Sequence, residues 1–124
     1  MREVTDWGVR QMLSVDALRT AGADVESGLS RCMGNEAFYL KMVKMALEND
    51  SYERMDAAVR AGDLKEGFER AHALKGILAN VSLTTVLEPV KEITEELRVK
   101  KQMDYEPLLT RIAEEIAALR GLAE

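Results

Sequence analysis

The sequence predicts an all-α protein, an antiparallel four-helix bundle with an additional short N-terminal helix or helices. Apolar residues recur every three or four positions, which is the spacing of one face of a helix. No window alternates apolar and polar residues as a half-buried strand would. The segments between the candidate helices are short, so neighbouring long helices should run antiparallel. We expect helices near residues 35–48, 51–61, 64–80, 85–101 and 105–121.

The N-terminal segment, residues 1–33, has the weakest pattern. Ser14 is suited to cap a short helix, whereas "TAGADVESG" contains three small, flexible breaks before "LSRCMG". No linker divides the chain, so we predict one domain over residues 1–124, with the main helices in 35–121. Because the sequence starts with Met1 and has a natural-looking end, we expect a complete chain.

The first two main helices are bounded by turn residues and carry apolar stripes. Gly34-Asn35 can end one element and cap the next. Stripes of this kind usually face the core, so we predict that both are buried. They comprise Phe38, Met42, Met45 and Ala46 in the first helix and Tyr52, Met55 and Val59 in the second.

The third main helix is preceded by Gly62-Asp63, which ends one helix and caps the next. At about 100° per residue, five of its residues fall on one face and should form the buried stripe. They are Leu64, Ala71, Leu74, Leu78 and Val81.

The last two helices have their own start signals. Thr85 to Glu88 has the capping-box pattern, which would place Pro89 near the first turn, and Asp104 can cap the final helix with Pro107 in its first turn. The apolar stripes of these two helices should face the core. These stripes are Val86, Val90, Ile93 and Leu97, then Tyr105, Leu109, Ile112, Ile116 and Leu119.

The composition limits the classes of function that the chain can have. The chain of 124 residues is 47% hydrophobic and 31% charged, as expected for a globular domain. Cys32 is the only cysteine, so there is no disulfide or zinc-ligand pattern, and we expect no metal or cofactor of its own. Without a signal peptide or an apolar run of membrane-spanning length, a cytoplasmic location is expected. The net charge of −5 and the 5% aromatic content favour a protein partner over nucleic acid, and no leftover apolar stripe calls for a dimer, so a monomer is expected.

The only histidine, His72, lies in "ERAHALKGILANVSL". It is well over a quarter turn from the middle of the buried stripe, so it should be exposed. Gly76, one turn later, costs about 1 kcal/mol relative to alanine and leaves the imidazole unscreened. Lys75 can bring its ammonium beside the ring, where it suits an anion attached to that ring, and Phe68 adds apolar surface for docking. The geometry alone leaves open that this is an ordinary surface histidine.

Other chemistry has little support in the sequence. There is no Ser/His/Asp arrangement, phosphate-binding glycine loop or nucleotide motif, and a Cys32/His72 dyad is the one nucleophilic alternative. The remaining carboxylates are interpreted as a solvated face. They are Glu92, Glu95, Glu96, Glu114 and Glu115.

"AHALKG", residues 71–76, resembles the signature of histidine phosphotransfer (HPt) domains, which is His-x-Leu-Lys-Gly preceded by a small residue. "AGDLKEGFERAHALKG" resembles the start of the histidine-bearing helix in that family, with Asp63 nine residues before His72. "DVESGLSRCMGNEAFYLKMVKMAL" resembles its N-terminal segment. The resemblance covers roughly residues 22–120.

The resemblance implies a phosphorelay intermediate. His72 would accept a phosphoryl group from a phospho-aspartate of one receiver domain and pass it to another, while Lys75 would offset the phosphoryl charge. The implied partners are response-regulator receiver domains and a sensor (hybrid) histidine kinase, and the receiver would supply Mg²⁺. No autonomous kinase or hydrolase activity is expected of this chain. The docking face around His72 would be centred on Phe68, Glu69, Gly76 and Ala79.

The chain departs from the family pattern at three positions. Ser82 stands where glycine is usual, Gly67 where a larger apolar residue is common, and Phe68 where a polar one is common. Two alternatives stay open. The chain could be a non-phosphorylated module that binds receiver or kinase domains, or it could resemble the phosphoacceptor domain of a chemotaxis-type kinase loaded by another chain.

Overall fold

The computed structural model describes residues 13–123, and this part of the chain contains helices but no strands. The helices are α1 (Val15–Thr20), α2 (Val25–Arg31), α3 (Glu36–Glu48), α4 (Ser51–Arg60), α5 (Leu64–Asn80), α6 (Thr84–Arg98) and α7 (Glu106–Gly121). Helix α4 packs on α5, α5 on α6 and α6 on α7, while α3 reaches α7. The predicted all-α bundle with extra short N-terminal helices is confirmed.

The core draws on all of these helices, and most of the predicted stripes are buried. Met55 and Val59 of α4 are buried, while Tyr52 is half-buried. The predicted stripes of α6 and α7 are fully inside. Their buried members are Val86, Val90, Ile93, Leu97, Tyr105, Leu109, Ile112, Ile116 and Leu119.

The predicted stripe of α3 is wrong. Phe38 is 47% exposed and Met45 is 54% exposed, and of the predicted residues only Ala46 is buried. The face that packs inward instead carries Tyr39 and Val43. Two apolar stripes lie side by side on this helix, and the Tyr39 stripe is the one that packs, because its ring fits against Gly28 and its hydroxyl donates to the Val81 carbonyl at 2.9 Å.

The predicted stripe of α5 is buried apart from its first residue, Leu64, which is half-buried. Asp63 caps the helix as expected, since its carboxylate accepts a hydrogen bond from the Glu66 amide at 3.1 Å. Gly67 joins the buried face. A Cβ at Gly67 would lie 2.8 Å from a Val59 methyl carbon, so glycine is needed for the close approach of α4.

Ser82 ends α5 in the left-handed conformation, with φ of +58°. The Leu83 amide donates to the Leu78 carbonyl at 3.1 Å and the Ser82 amide to the Ala79 carbonyl, so the glycine-type termination forms without glycine. Arg31, at the end of α2, donates to the Ser82 hydroxyl at 2.6 Å and to the Ala79 carbonyl at 3.2 Å. Through Arg31, α2 is thereby held against the C-terminal end of α5.

The predicted capping box at the start of α6 is wrong. The helix begins at Thr84 with Leu83 as its N-cap, which leaves Thr85 inside the first turn and no side-chain cap. Pro89 consequently lies in the second turn, and α6 ends at Arg98, three residues earlier than predicted. Before α7, the Asp104 carboxylate accepts a hydrogen bond from the Glu106 amide at 3.0 Å, although Tyr105 is the N-cap, and Pro107 is in the first turn as expected.

The N-terminal segment is described only from residue 13 onward, so the part of the prediction that concerns residues 1–12 lies outside the described residues. Ser14 caps α1 as predicted, accepting a hydrogen bond from the Ala17 amide at 3.0 Å. The predicted break near Ser27 and Gly28 is wrong, because both residues lie within α2. Gly28 is needed there for packing, since a Cβ would collide with the Tyr39 ring.

Candidate functional site

His72 lies in the middle of α5 and is exposed, as the helix geometry predicts. Helix α5 packs against α4 on one side and α6 on the other, so its remaining face is directed outward. Ala71 and Leu74, the residues that flank His72 on the buried face, anchor the helix in the core. The imidazole is therefore carried on a rigid, packed element while its ring remains accessible.

Phe68 forms one side of the site. Its ring is half-buried against the core, and its centroid lies 5.7 Å from that of the His72 ring, with 33° between the ring planes. This distance is typical of aromatic pairs that contribute beyond simple burial. The two departures at positions 67 and 68 have different packing consequences. Gly67 faces inward to admit α4, and Phe68 supplies the apolar surface beside the histidine.

Helix α6 contributes two charged residues that sequence reasoning did not place at the site. The Arg98 guanidinium carbon lies 4.9 Å from the centroid of the Phe68 ring. The same guanidinium donates two hydrogen bonds to the Glu95 carboxylate, at 3.1 and 3.2 Å. Glu95 is on a solvated face, as predicted, but it also borders the histidine. The short turn between α5 and α6 was the available signal, because an antiparallel pair brings residues near 95 beside residues near 70.

The pKa of the Glu95 carboxyl is affected by Arg98 and by two residues of α5. The hydrogen bonds from Arg98 hold the pKa of the Glu95 carboxyl below its ordinary value of 4.5, and the charges of Arg98, Lys75 and His72 act in the same direction. The reciprocal hydrogen bond from Glu95 raises the pKa of Arg98. Glu95 is therefore a carboxylate at neutral pH, and of the basic residues of α5 it is Lys75 and His72 that act on it.

The other predicted site residues are distributed along the outer face of α5. Lys75 is half-buried and lies one turn after His72. Glu69 and Gly76 are exposed, and a Cβ on Gly76 would meet no atom within 4 Å. Ala79 is half-buried about 10 Å further along the axis, where its carbonyl accepts a hydrogen bond from Arg31. Phe68, Lys75 and Gly76 are thus gathered around His72, whereas Ala79 lies at the edge.

An apolar groove runs between α3 and the second half of α5. Met42 and Met45 line it from α3, and Ile77 lines it from α5, with Asn80 and Val81 at one end. Between Ile77 and His72, the outer face of α5 carries only small exposed residues, Ala73 and Gly76. Sequence reasoning missed this groove because it assigned the methionines to the core.

Among residues 13–123, no group of three or more His, Cys, Asp or Glu side chains is arranged to hold a metal ion. Cys32 is the C-cap of α2, whereas His72 lies in the middle of α5. Within the same part of the chain, every helix is too short or too polar to cross a membrane.

Comparison with protein families identifies a matching family model. The family model described as Hpt domain matches residues 39–122, which is most of the chain and includes α4 to α7 and the whole of the histidine-bearing helix. Comparison with curated proteins and with solved structures gives no significant match. The family match agrees with the helical bundle and with an exposed histidine on its central helix, so the chain belongs to the Hpt domain family, the histidine phosphotransfer modules of two-component signalling.

Proposed function

We propose that His72 accepts a phosphoryl group from the phospho-aspartate of one receiver domain and transfers it to an aspartate of another. The observation that carries this proposal is the arrangement on α5: an exposed imidazole, an ammonium one turn away at Lys75, and open space above Gly76. Helix α5 supplies a positioned nucleophile and the receiver supplies the rest, including Mg²⁺ at its own acidic site.

This chain contributes a nucleophile and a nearby positive charge to the transfer step. The ring nitrogen without a proton attacks phosphorus; an N–P bond forms as the acyl O–P bond breaks, and the receiver's aspartate keeps the electron pair as a carboxylate. The other ring nitrogen keeps its proton. Negative charge is spread over the three equatorial phosphoryl oxygens in the transition state, so the Lys75 ammonium stabilises it electrostatically. The reverse sequence, on a second receiver, discharges the histidine.

The receiver docks across the outer face of α5 toward α3. We call Phe38, Met42 and Met45 the α3 stripe; it exposes apolar area on the side of α5 that bears Ile77. Ala73 and Gly76 connect this stripe to His72 without a bulky side chain between them. An apolar contact beside the acceptor positions the receiver's aspartate while remaining small enough for rapid release. The docking face therefore extends beyond Phe68, Glu69, Gly76 and Ala79 to include the α3 stripe.

The proposal is tested by loading. The purified chain is mixed with receiver domains that carry radiolabelled phosphate and with Mg²⁺, and label on the chain is followed with time. Wild type should acquire acid-labile, base-stable label, and His72→Gln should acquire none while keeping its helical circular dichroism. Lys75→Gln should load more slowly, by roughly the two- to fivefold that an exposed charge contributes. Arg111→Gln, on the exposed face of α7, is the matched control and should load normally.

Label that persists in His72→Gln would contradict the assignment of the acceptor. No label from receivers, but label from a kinase with ATP, would favour a chemotaxis-type phosphoacceptor. No label from either source, together with measurable receiver binding, would favour a non-phosphorylated interaction module.

A further inference from the structure

Arg98 connects the groups that surround the histidine. Its guanidinium carbon lies 4.9 Å from the Phe68 ring centroid, and the Phe68 centroid in turn lies 5.7 Å from that of His72. Its Nε and Nη2 donate to the two oxygens of Glu95, at 3.1 and 3.2 Å. A single side chain of α6 therefore holds both the aromatic wall and the carboxylate of the site.

The Glu95 carboxylate is a hazard to phosphotransfer if it is left unpaired. It is charged at neutral pH, and the charges of Lys75 and His72 are close enough to act on it. An unpaired carboxylate here would attract the Lys75 ammonium away from the phosphoryl group. It would also repel the phosphoryl oxygens directly, since like charges at short range are unfavourable. On α5 itself, Glu69 is a second exposed carboxylate one turn before His72, so additional negative charge would be poorly tolerated.

We propose that Arg98 is a positioning residue for the phosphoacceptor: it occupies the Glu95 carboxylate through both oxygens and packs on Phe68, which keeps Lys75 available for the phosphoryl group and Phe68 in place against His72. This inference rests on the proposed function and adds a residue from α6 to a site otherwise built from α5.

The chemistry of arginine suits this task. A planar guanidinium can satisfy both carboxylate oxygens at once while its face lies over an aromatic ring, whereas an ammonium offers a point charge and no stacking face. Both functions are used here, because the hydrogen bonds are directed toward Glu95 and the ring contact toward Phe68. Lysine at position 98 should therefore replace arginine only in part.

The test is a double-substitution cycle in the loading assay. Arg98→Gln frees the Glu95 carboxylate and should slow loading of His72 by a factor of roughly two to five, the range for exposed charge interactions. Glu95→Gln should load faster than wild type, because the freed guanidinium is then available to the phosphoryl oxygens. The double variant, with both charges removed, should return to within about twofold of the wild-type rate. Arg98→Lys should be intermediate between wild type and Arg98→Gln.

The matched control is Arg19→Gln. Arg19 forms an ion pair with Glu26 in the N-terminal helices, and the side chains of that pair are 47% and 71% exposed, against 46% and 61% for Arg98 and Glu95. This control should load as wild type does. Its normal rate would show that losing an exposed arginine elsewhere has no effect.

Two results would overturn the inference while leaving the proposed function intact. In the first, wild type is labelled and Arg98→Gln loads equally fast. In the second, the double variant is as slow as Arg98→Gln, which would mean that Glu95 is not the group that Arg98 controls. A wild-type chain that takes no label contradicts the proposed function itself.

The pKa of the Glu95 carboxyl provides an independent readout in the variants that retain this residue. It should rise toward its ordinary value in Arg98→Gln, because the hydrogen bonds from Arg98 are the main cause of its lowering.

Discussion

Ser82 combines an unfavourable backbone conformation with a favourable side-chain contact. Its φ is +58°, a region that costs a residue with a Cβ roughly 1–2 kcal/mol relative to glycine. Its hydroxyl, in a residue that is 3% exposed, accepts a hydrogen bond from Arg31 at 2.6 Å. A bond of this kind to a charged donor contributes about 1.5–3 kcal/mol, so serine at this position is tolerated because Arg31 offsets the strain.

Substitutions at Ser82 separate the two effects. Ser82→Ala keeps the strain and loses the bond, so it should lower the free energy of unfolding by about 1.5–3 kcal/mol. Ser82→Gly loses the bond but relieves the strain, so it should be destabilised less than Ser82→Ala, by about 1–2 kcal/mol. Urea denaturation of the three proteins measures the difference. Equal destabilisation by alanine and glycine would show that the left-handed conformation stores no strain.

Two glycines of α5 respond oppositely to alanine, and they separate stability from function. At Gly76 a Cβ meets nothing within 4 Å, so Gly76→Ala should raise the free energy of unfolding by about 0.5–1 kcal/mol through helix propensity alone. At Gly67 a Cβ lies 2.8 Å from Val59, so Gly67→Ala should destabilise by roughly 1–3 kcal/mol through overpacking.

The functional consequence for Gly76 is the reverse of its effect on stability. If the receiver passes over this position, Gly76→Ala should be more stable than wild type yet accept phosphate more slowly. Thermal unfolding and the loading assay, run on the same preparation, provide the comparison. A variant that gains stability and loads at the wild-type rate would show that the open space above Gly76 is not used.

At the scale of the elements, α3 presents an apolar stripe that the core does not need. Met45 is 54% exposed, so Met45→Gln should change the free energy of unfolding by no more than about 0.5 kcal/mol. Burial of its exposed part against a receiver is worth about 1 kcal/mol, so the same substitution should weaken receiver binding roughly fivefold. Titration calorimetry measures the affinity, with Lys44→Gln, an exposed residue on another side of α3, as the control. Equal affinity of Met45→Gln and wild type would remove α3 from the docking face.

The sequence predicted the main helices and most of their buried faces, and the errors lie in α2, at the ends of α6 and on one face of α3. The boundaries of α3 to α5 agree closely because Asn35, Ser51 and Asp63 lie at or beside local turn signals that act within a few residues. The end of α6 was missed because Lys100 adopts φ of +51° without being glycine, which no local rule favours. The α3 stripe was misassigned because periodicity identifies apolar faces but cannot choose between two adjacent ones.

The residues of the candidate site also differ in whether the sequence alone could predict them. His72, Lys75 and Gly76 share one helix, so counting along that helix was enough to place them together on its outer face. Arg98 reaches Phe68 only because α5 and α6 pack as an antiparallel pair. Contacts of that kind depend on the relative register of two helices, which the amino-acid pattern of either helix leaves open.

At the scale of the whole molecule, ion pairs between helices couple stability to pH. In three pairs that join different helices, hydrogen bonds from arginine lower the pKa of the carboxyl below 4.5: Glu26, bonded by Arg19; Glu53, bonded by Arg120; and Glu106, bonded by Arg60. Because these values are lower in the folded chain, the unfolded chain binds more protons as the pH falls through 4.5. This contribution to stability is complete above the ordinary pKa and is lost as the pH falls through the lowered values.

The urea midpoint should therefore fall progressively on acidification below about pH 4.5, the ordinary carboxyl value. High salt should flatten the dependence, because these pairs are mostly exposed and salt screens them. Arg60→Gln should also reduce the slope by returning the pKa of Glu106 toward its ordinary value. A midpoint that rises as the pH falls below 4.5 would contradict the sign of these shifts.

The proposed function requires that the chain carry phosphate between two proteins through His72. The most direct measurement is a three-component relay: one receiver domain bearing radiolabelled phosphate, a second unlabelled receiver, Mg²⁺, and this chain at low concentration. Label should reach the second receiver when wild type is present and should not when His72→Gln replaces it. Equal transfer to the second receiver with His72→Gln, or no transfer with wild type across a panel of receiver pairs, would contradict the proposed function.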